Sequence, residues 1–237
     1  MSTGAEPRRE DFDAYAEEYD EALQRGLAVS GEDKNFFAER RVEWLAAILR
    51  ALRTEPAAIM DFGCGTGTAV PLLSSLPGCL AVIGIDQSAQ SLRVARARQP
   101  SPRVSFHTPA EYVPSGAVDL VYCNGVIHHI PPRDRGAALR FVHQALKPGG
   151  LFAIWENNPW NPGTRYVMSR IPFDRDAVPI AAPALAKLLL KEGFEVLRTD
   201  YLFIFPRWLR WFRPLEPRFA GWPLGAQYLV LGRRRSQ

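Results

Sequence analysis

Short apolar segments alternate with helix-like segments through the middle of this chain, and this alternation restricts the fold more than any other feature. The apolar segments fit buried strands, and helical periodicity appears between them. The predicted strands lie at 57–62, 80–86, 103–107, 118–124 and 151–157, and the predicted helices between them at 68–76, 88–98 and 133–146. Because strands joined by helical crossovers run parallel, the pattern predicts an α/β sheet with helices on both faces.

The two ends of the chain extend this predicted core. Residues 11–25 and 34–53 carry apolar side chains at helical spacing, which predicts two amphipathic helices before the first strand. Two further strands are predicted near 194–204 and 226–232. No internal repeat or low-complexity linker separates these parts, so we predict a single domain over residues 1–237.

The composition argues against several classes of protein. A net charge of +4 does not by itself indicate a nucleic-acid partner. The three cysteines have neither metal nor redox spacing, which predicts free thiols in a reducing compartment and no metal site. The N-terminus is polar, and no apolar run approaches the length of a membrane span. We therefore expect a cytoplasmic protein.

A glycine-rich segment from Asp61 to Gly67, with the sequence DFGCGTG, follows the first predicted strand and precedes a helix. Glycines at such a place allow a tight turn and a close approach of the backbone to a ligand. Asp86 ends the second predicted strand, where an acid in a doubly wound sheet accepts hydrogen bonds from a ribose diol. Taken alone, the loop could be a plain connection, and Asp86 could cap the helix that begins near Ser88.

The spacing of the glycines distinguishes two classes of nucleotide ligand. A dinucleotide-binding loop has glycines at the first, third and sixth positions. Counted from Gly63, the third position is Gly65, the fifth is Gly67 and the sixth is Thr68. Asp61 adds a carboxylate that is unfavourable beside a pyrophosphate but favourable beside an ammonium group. The loop therefore favours a ligand with an adenosine and an amino-acid end over NAD.

Four segments in order resemble the successive motifs of class I S-adenosylmethionine-dependent methyltransferases, in the branch that includes many bacterial small-molecule enzymes. They are DFGCGTG, GIDQS, VDLVYCNGVIHHI and LKPGG, and the strong resemblance covers residues 55–157. The resemblance implies a Rossmann-like, seven-stranded and mostly parallel sheet whose last strand is antiparallel. It also implies S-adenosyl-L-methionine as the cofactor and methyl transfer as the reaction.

The resemblance further implies which residues hold the cofactor. The glycines would approach its methionine part, the acid after the second strand would hold the ribose, and the next residue would flank the adenine. The acid before the glycines would face the ammonium group, and an amide after the fourth strand would lie by the amino-acid end. These residues are Asp61, Gly63, Gly65, Gly67, Asp86, Gln87 and Asn124.

The chain departs from the family pattern before the fourth strand. The segment at 107–114 reads HTPAEYVP, with Pro109 where an acid would bind the adenine amino group. Ala110 and Glu111 could replace that acid through backbone or side chain, so we include both among the predicted cofactor-binding residues.

Two histidines follow the fourth predicted strand, at the edge where ligands bind in open α/β sheets. Methyl transfer from a sulfonium is an in-line displacement that depends mainly on alignment and needs a base only when the acceptor must lose a proton. We predict His128 and His129 as candidate bases, since histidine can accept a proton near neutral pH. The alternative is that one or both cap the next helix or pack beneath the site.

The acceptor site is predicted from two segments. In the loop after the fifth strand, Glu156, Asn158 and Trp160 could contact a polar acceptor, or the loop could be a rigid turn whose asparagines satisfy the backbone. On the N-terminal helices, Tyr19 is predicted to face the acceptor, and the pair Arg40–Arg41 could bind the carboxylate of the cofactor. The alternative for these helices is an ordinary amphipathic face.

We accordingly divide the predicted domain into three parts. Residues 1–54 would form an N-terminal helical lid, residues 55–157 the cofactor-binding core, and residues 158–237 the acceptor-side elements with the last two strands.

The segment 203–222 combines arginines with aromatic residues. It allows three interpretations: a helix that covers the sheet edge, a cap on the acceptor site, and a weak contact with a membrane surface. Of the two functional interpretations we favour the acceptor cap. The residues that define the pattern are Arg207, Trp208, Arg210, Trp211, Phe212 and Arg213.

The predicted function is S-adenosylmethionine-dependent methyl transfer to a small organic acceptor, a biosynthetic intermediate, with no nucleic-acid partner. Two alternatives stay open. One is an RNA or protein methyltransferase, which the arginine-rich C-terminal segment supports. The other is a protein of this fold that binds the cofactor without transferring methyl. The sequence decides neither the methylated atom nor the oligomeric state.

Overall fold

The computed structural model describes residues 31–171 and 177–236, so the predicted helix at 11–25 and Tyr19 lie outside the described residues. The strands are β1 (Ala58–Phe62), β2 (Ala81–Ile85), β3 (Val104–His107), β4 (Val118–Asn124), β5 (Leu146–Asn157), β6 (Phe194–Leu202) and β7 (Gln227–Arg234). The α-helices are α1 (Lys34–Ala51), α2 (Val70–Ser74), α3 (Ala89–Arg98), α4 (Arg135–Ala145), α5 (Pro162–Arg170), α6 (Ala182–Lys191) and α7 (Glu216–Phe219).

All seven strands form one sheet in the order β3-β2-β1-β4-β5-β7-β6. The first five strands pair in parallel, and β7 pairs antiparallel with both β5 and β6. The strand order reverses between β1 and β4, and ligands bind at such a switch point, outside the carboxyl ends of the strands. The structure confirms the predicted Rossmann-like sheet with its antiparallel last strand.

Apolar side chains on both faces of the sheet pack against helices. Neighbouring residues of a strand point to opposite faces, so the fully buried Ile59 and Met60 of β1 belong to different clusters. The cluster that contains Ile59 includes residues of α1, α2 and α3, and the cluster that contains Met60 includes residues of α4 and α6. Burial on both faces explains why the parallel strands are apolar throughout.

Two elements differ from the sequence prediction. Strand β5 begins at Leu146, so the LKPGG segment is part of it. The segment 203–222 is not one short helix but a 3-10 segment at Arg207–Leu215, kinked at Leu209 and followed by α7. Prolines interrupt the segment, and because proline lacks a backbone N–H donor it prevents a continuous α-helix there.

None of the helices in residues 31–171 and 177–236 is long and apolar enough to cross a membrane.

Candidate active site

A cavity of about 600 Å³ lies at the carboxyl ends of β1, β2 and β4. Its volume is within the range of small-molecule binding sites, roughly 300 to 1,000 Å³. The cavity brings together most of the cofactor-binding residues predicted from the sequence. Those that line it are Asp61, Gly63, Gly65, Asp86, Gln87 and Asn124.

The glycines of the loop after β1 have different surroundings. Gly63 has φ +79°, and a Cβ atom there would lie 2.2 Å from Cγ2 of Val126. Gly65 has φ +50° and lines the cavity, and a Cβ atom there would meet no atom within 4 Å. Gly67 does not line the cavity but lies against Ala95 of α3. Gly63 therefore allows close packing, Gly65 leaves room beside the backbone in the cavity, and Gly67 packs against a helix.

Asp86 connects the glycine loop to the end of β2. Its carboxylate accepts a hydrogen bond of 2.8 Å from Gly65 N and one of 2.9 Å from Ser88 N. The N-cap of α3 is Ser88, whose hydroxyl accepts from Ser91 N at 3.0 Å. Asp86 is therefore not the helix cap, and its carboxylate lies in the cavity beside the loop.

A buried acid lies next to a buried guanidinium inside the cavity. Asp61 is 3% exposed, and burial raises its pKa to about 7, with Asp86 adding to the rise and Arg41 opposing it. Arg41 is held by hydrogen bonds from Nε to the Tyr122 hydroxyl (3.2 Å) and from Nη1 to Oε1 of Gln227 (2.9 Å). A carboxylate and a guanidinium that line the same cavity are complementary to an amino-acid group, which carries both an ammonium and a carboxylate.

The predicted arginine pair is divided between the cavity and the surface. Arg41 is buried and lines the cavity, whereas Arg40 is half-buried, does not line the cavity and forms an ion pair with Glu43 at 2.8 Å. Of these two arginines, Arg41 is the one that can contact a ligand in this cavity.

Of the predicted adenine-edge residues, only the proline reaches the cavity. Pro109 lines it, and Ala110 and Glu111 are exposed and do not. The Glu111 carboxylate accepts a 2.8 Å hydrogen bond from Thr108 N, which lowers its pKa. The structure therefore gives Glu111 a local partner at the surface and places no acid at that position of the cavity.

The two histidines lie in one 3-10 turn (Ile127–His129) but have different surroundings. His128 is buried, with its Nδ1 2.5 Å from Oε2 of Glu156, and the other oxygen of Glu156 accepts a 2.7 Å hydrogen bond from Ile127 N. His129 is half-buried and lines the cavity, its ring centroid 4.2 Å from that of His128. His128 thus packs beneath the site, and His129 alone of the pair reaches the cavity.

The loop after β5 has structural contacts instead of a place at the cavity. Asn158 is buried, and its amide donates to the carbonyl oxygens of Pro223 (3.1 Å) and Gly225 (2.8 Å) and accepts from Trp160 N (3.1 Å). Glu156 is the buried partner of His128, and Trp160 is half-exposed. None of the three lines the cavity, because their side chains satisfy the backbone, fill the interior or face the surface.

Sequence reasoning did not single out two basic residues of this site. Lys34 and Arg133 line the cavity together with His129. Each begins or precedes a helix, and such a place is typical of many surface residues, so no sequence signal distinguished them.

The comparisons with known proteins agree with this geometry. Residues 60–152 match a family model described as a methyltransferase domain. Residues 60–152 of this chain are therefore similar to a methyltransferase domain, and the solved structures that share its Rossmann-like fold include S-adenosylmethionine-dependent methyltransferases.

Among its relatives, the chain is 31% identical over 152 residues to a trans-aconitate 2-methyltransferase from Methylobacterium radiotolerans, a match that covers 63% of this chain. The chain spans 58% of that relative's length. An S-adenosylmethionine-dependent methyltransferase from Thermotoga maritima has a TM-score of 0.66 at 23% identity, covering 94% of this chain and 98% of the other.

A second solved structure is that of a methyltransferase in complex with the Trm112 methyltransferase activator of Haloferax volcanii. Its TM-score is 0.66 at 19% identity, and the match covers 95% of this chain and 98% of the other. At these identities the two solved structures show the fold that this chain shares with them.

Proposed function

We propose that this protein transfers a methyl group from S-adenosylmethionine to a small organic acceptor. The observation that carries the proposal is the cavity at the carboxyl edge of the sheet, which is lined by the glycine loop, by Asp86 at the position of a ribose-binding acid, and by Asp61 and Arg41. The match of residues 60–152 to a methyltransferase domain supports it independently.

The residues of the cavity fit the proposed cofactor. Asp61 would face its ammonium group and Arg41 its carboxylate, since each offers the opposite charge in a buried place. Gly65 leaves space for the methionine part, and Asp86 would accept from the ribose hydroxyls while it keeps its bond to Gly65 N. When bound, S-adenosylmethionine supplies an electrophilic methyl group.

We assign the acceptor to the side of the cavity formed by the turn after β4 and the start of α1. From these two segments, Lys34, Asn124, His129 and Arg133 line the cavity. Three of these side chains are cationic or can become so, and the curated relatives are methyltransferases named for trans-aconitate, a carboxylic acid. A small organic acid, used as a biosynthetic intermediate in the cytoplasm, is therefore the acceptor class that we propose.

The role of His129 depends on the acceptor. A carboxylate is already ionised at neutral pH and needs no base, so His129 would bind and orient it in line with the methyl group. A hydroxyl acceptor would instead lose its proton to His129.

Isothermal titration calorimetry tests the first part of this proposal. We expect the protein to bind S-adenosylhomocysteine, the demethylated product, and to give no heat with NAD. Methylation of trans-aconitate and other small acids, followed by mass spectrometry of the product, tests the second part. Tight binding of NAD without binding of S-adenosylhomocysteine would overturn the proposal.

A further inference from the structure

The connection from β6 to β7, residues 203–226, exposes large aromatic side chains. Trp208, Trp211 and Trp222 are 72%, 75% and 63% exposed, and no residue of the 3-10 segment Arg207–Leu215 is buried. Several large aromatic side chains exposed within one connection indicate an interaction site.

Internal contacts hold this connection in place. Glu216 is buried and accepts hydrogen bonds from Ile204 N (2.9 Å) and Phe205 N (3.2 Å), which closes the base of the connection. Arg213 donates to the Phe205 carbonyl (3.2 Å) and to Oε1 of Glu32 (2.8 Å). These hydrogen bonds fix the backbone of the connection, and the tryptophan side chains on it are exposed to solvent.

The exposed surface continues onto the loop after β5. Asn161 donates to the Leu224 carbonyl at 2.8 Å, and Asn158 donates to the carbonyl oxygens on either side of it. These bonds join the loop that carries the half-exposed Trp160 to the segment that carries the exposed Trp222 and Leu224. The aromatic surface thus combines two connections that lie at the same edge of the sheet.

The aromatic surface does not belong to the cavity. No residue of 203–226 lines it, which is against the acceptor cap that we favoured from the sequence. Covering the sheet edge would bury aromatic side chains, whereas the three tryptophans face solvent. Of the three interpretations, contact with a membrane surface is the one that this exposure supports.

The outward charge of the surface is positive. Residues 203–226 contain four arginines and a single acid, Glu216, which is buried and already accepts two backbone hydrogen bonds. Arg210 and Arg218 are exposed among the aromatic residues, and the Arg210 guanidinium lies 4.7 Å from the Trp211 ring centroid. Arginine attracts anionic headgroups, and tryptophan favours the boundary between headgroups and acyl chains.

We infer that residues 203–226 dock this protein on the surface of an anionic lipid bilayer, with Trp208, Trp211 and Trp222 at the headgroup level. The arrangement suits a bilayer better than single-stranded RNA. In proteins that bind single-stranded RNA, the aromatic side chains that stack on the bases line a basic groove that follows the nucleic-acid backbone. Side chains this exposed have no such wall around them. The inference does not depend on the proposed methyl transfer.

The docking would bring the cavity close to the lipid surface. Strand β6 is antiparallel to β7, which is antiparallel to β5, so β6 and β5 point in the same direction. The connection that follows β6 therefore starts at the carboxyl edge of the sheet, where the cavity lies.

Flotation with vesicles tests this inference with the full-length protein. We expect binding to vesicles of phosphatidylcholine mixed with phosphatidylglycerol and much weaker binding to phosphatidylcholine alone. The double variant Trp208→Ala/Trp211→Ala should weaken binding to the anionic vesicles at least about tenfold, because it removes the inserted apolar surface. Arg210→Gln/Arg218→Gln should weaken it by about thirtyfold at low salt and abolish the preference for anionic lipid.

Matched control variants distinguish binding through this surface from non-specific adsorption to vesicles. Leu80→Ala/Val113→Ala truncates exposed apolar side chains elsewhere, and Arg50→Gln/Arg93→Gln removes exposed charges elsewhere. Both should bind vesicles like the parent, and all variants should melt at the parent's temperature.

Three outcomes would overturn the inference. They are no binding to either kind of vesicle, equal losses in the control variants, and tryptophan-dependent retention of single-stranded RNA without vesicle binding. A dimer that the tryptophan variants dissociate, with no vesicle binding, would assign the surface to a second copy of the chain instead.

Discussion

The ionisation of Asp61 should depend on what occupies the cavity. It is almost fully buried, and burial together with the nearby Asp86 raises its pKa to about 7 in spite of Arg41. An ammonium group bound beside it would favour the ionised form, so ligand binding and proton release at Asp61 should be coupled.

We therefore expect the affinity for S-adenosylhomocysteine to rise several-fold between about pH 6 and about pH 7.5, because the ligand selects the ionised Asp61. Calorimetry in two buffers with different ionisation enthalpies should detect the released proton. Asp61→Asn is the matched control, and its weaker binding should lose this pH dependence. An unchanged pH profile in Asp61→Asn would show that another group controls binding.

The ionised Asp61 should favour ligand binding but lower the free energy of unfolding of the ligand-free protein. Since burial raises the pKa of Asp61 in the folded protein from its ordinary value of 3.8 to about 7, its favourable contribution to stability is complete at low pH and is lost as the pH rises through about 7. Above pH 7 the ligand-free Asp61→Asn protein should be more stable than the parent, by up to about 4 kcal/mol. Urea unfolding at pH 8 measures this difference, and a destabilised variant would contradict it.

Of the residues singled out in the sequence, those after β1 and β2 line the cavity more often than those in the loop after β5. The glycines and Asp86 follow strands, so the alternation of apolar segments already placed them at one edge. The sequence could also have distinguished Arg41 from Arg40. Arg41 lies four residues from both Phe37 and Leu45, which are buried, and so shares their helix face. Glu156 and Asn158 could not be assigned, because their partners are distant in the chain.

At the scale of an element, two glycines of the loop after β1 should have different roles. Gly63 packs against Val126, and Gly65 lies beside open space in the cavity. Gly65→Ala places a methyl group in open space at φ +50°, so we expect it to cost about 1 to 2 kcal/mol of stability. Because that methyl group would stand where the cofactor approaches the backbone, affinity for S-adenosylhomocysteine should fall at least about tenfold. Thermal melting and calorimetry measure the two effects.

Gly63→Ala is the comparison for that variant. Its Cβ atom would lie 2.2 Å from the Val126 side chain, so it should cost about 3 kcal/mol or more of stability. Adding Val126→Ala removes the clashing methyl groups and should restore part of the loss. If both glycine variants melt alike and bind alike, the distinction between the two glycines is wrong.

The turn after β4 depends on the buried Glu156. Glu156→Ala removes the buried carboxylate that contacts His128 Nδ1 and accepts from Ile127 N, and breaking a buried pair in this way costs about 3 to 5 kcal/mol. Glu156→Gln keeps the shape and an oxygen acceptor, so it should cost clearly less. Urea denaturation compares the two variants, and a Glu156→Ala protein of normal stability with a raised acceptor KM would restore the acceptor-binding role.

The strands and most helices could be predicted because burial on both faces makes the central strands apolar throughout. The segment 203–222 could not, because its structure depends on prolines, on the buried Glu216 and on contacts with Glu32. Its aromatic residues were noticed in the sequence, but whether they face a cavity or solvent is decided by the position of the 3-10 segment.

At the scale of the whole molecule, the direction of the strands places both proposed sites at the same edge of the sheet. The parallel strands β1, β2 and β4 end at the cavity, and β6 ends at the start of the aromatic surface on the same edge. The proposed chemistry and the proposed lipid contact are thus neighbours, although they use different residues and can be tested separately.

Transfer of a labelled methyl group tests the central claim most directly. The protein would be incubated with S-adenosylmethionine labelled on the methyl group and a cell extract separated into small-molecule, RNA and protein fractions. We predict that the label enters the small-molecule fraction with the parent protein and that Gly65→Ala, which stays folded, transfers far less. Label that enters only RNA or protein, or a parent that binds S-adenosylhomocysteine but transfers no label to any fraction, would contradict the account.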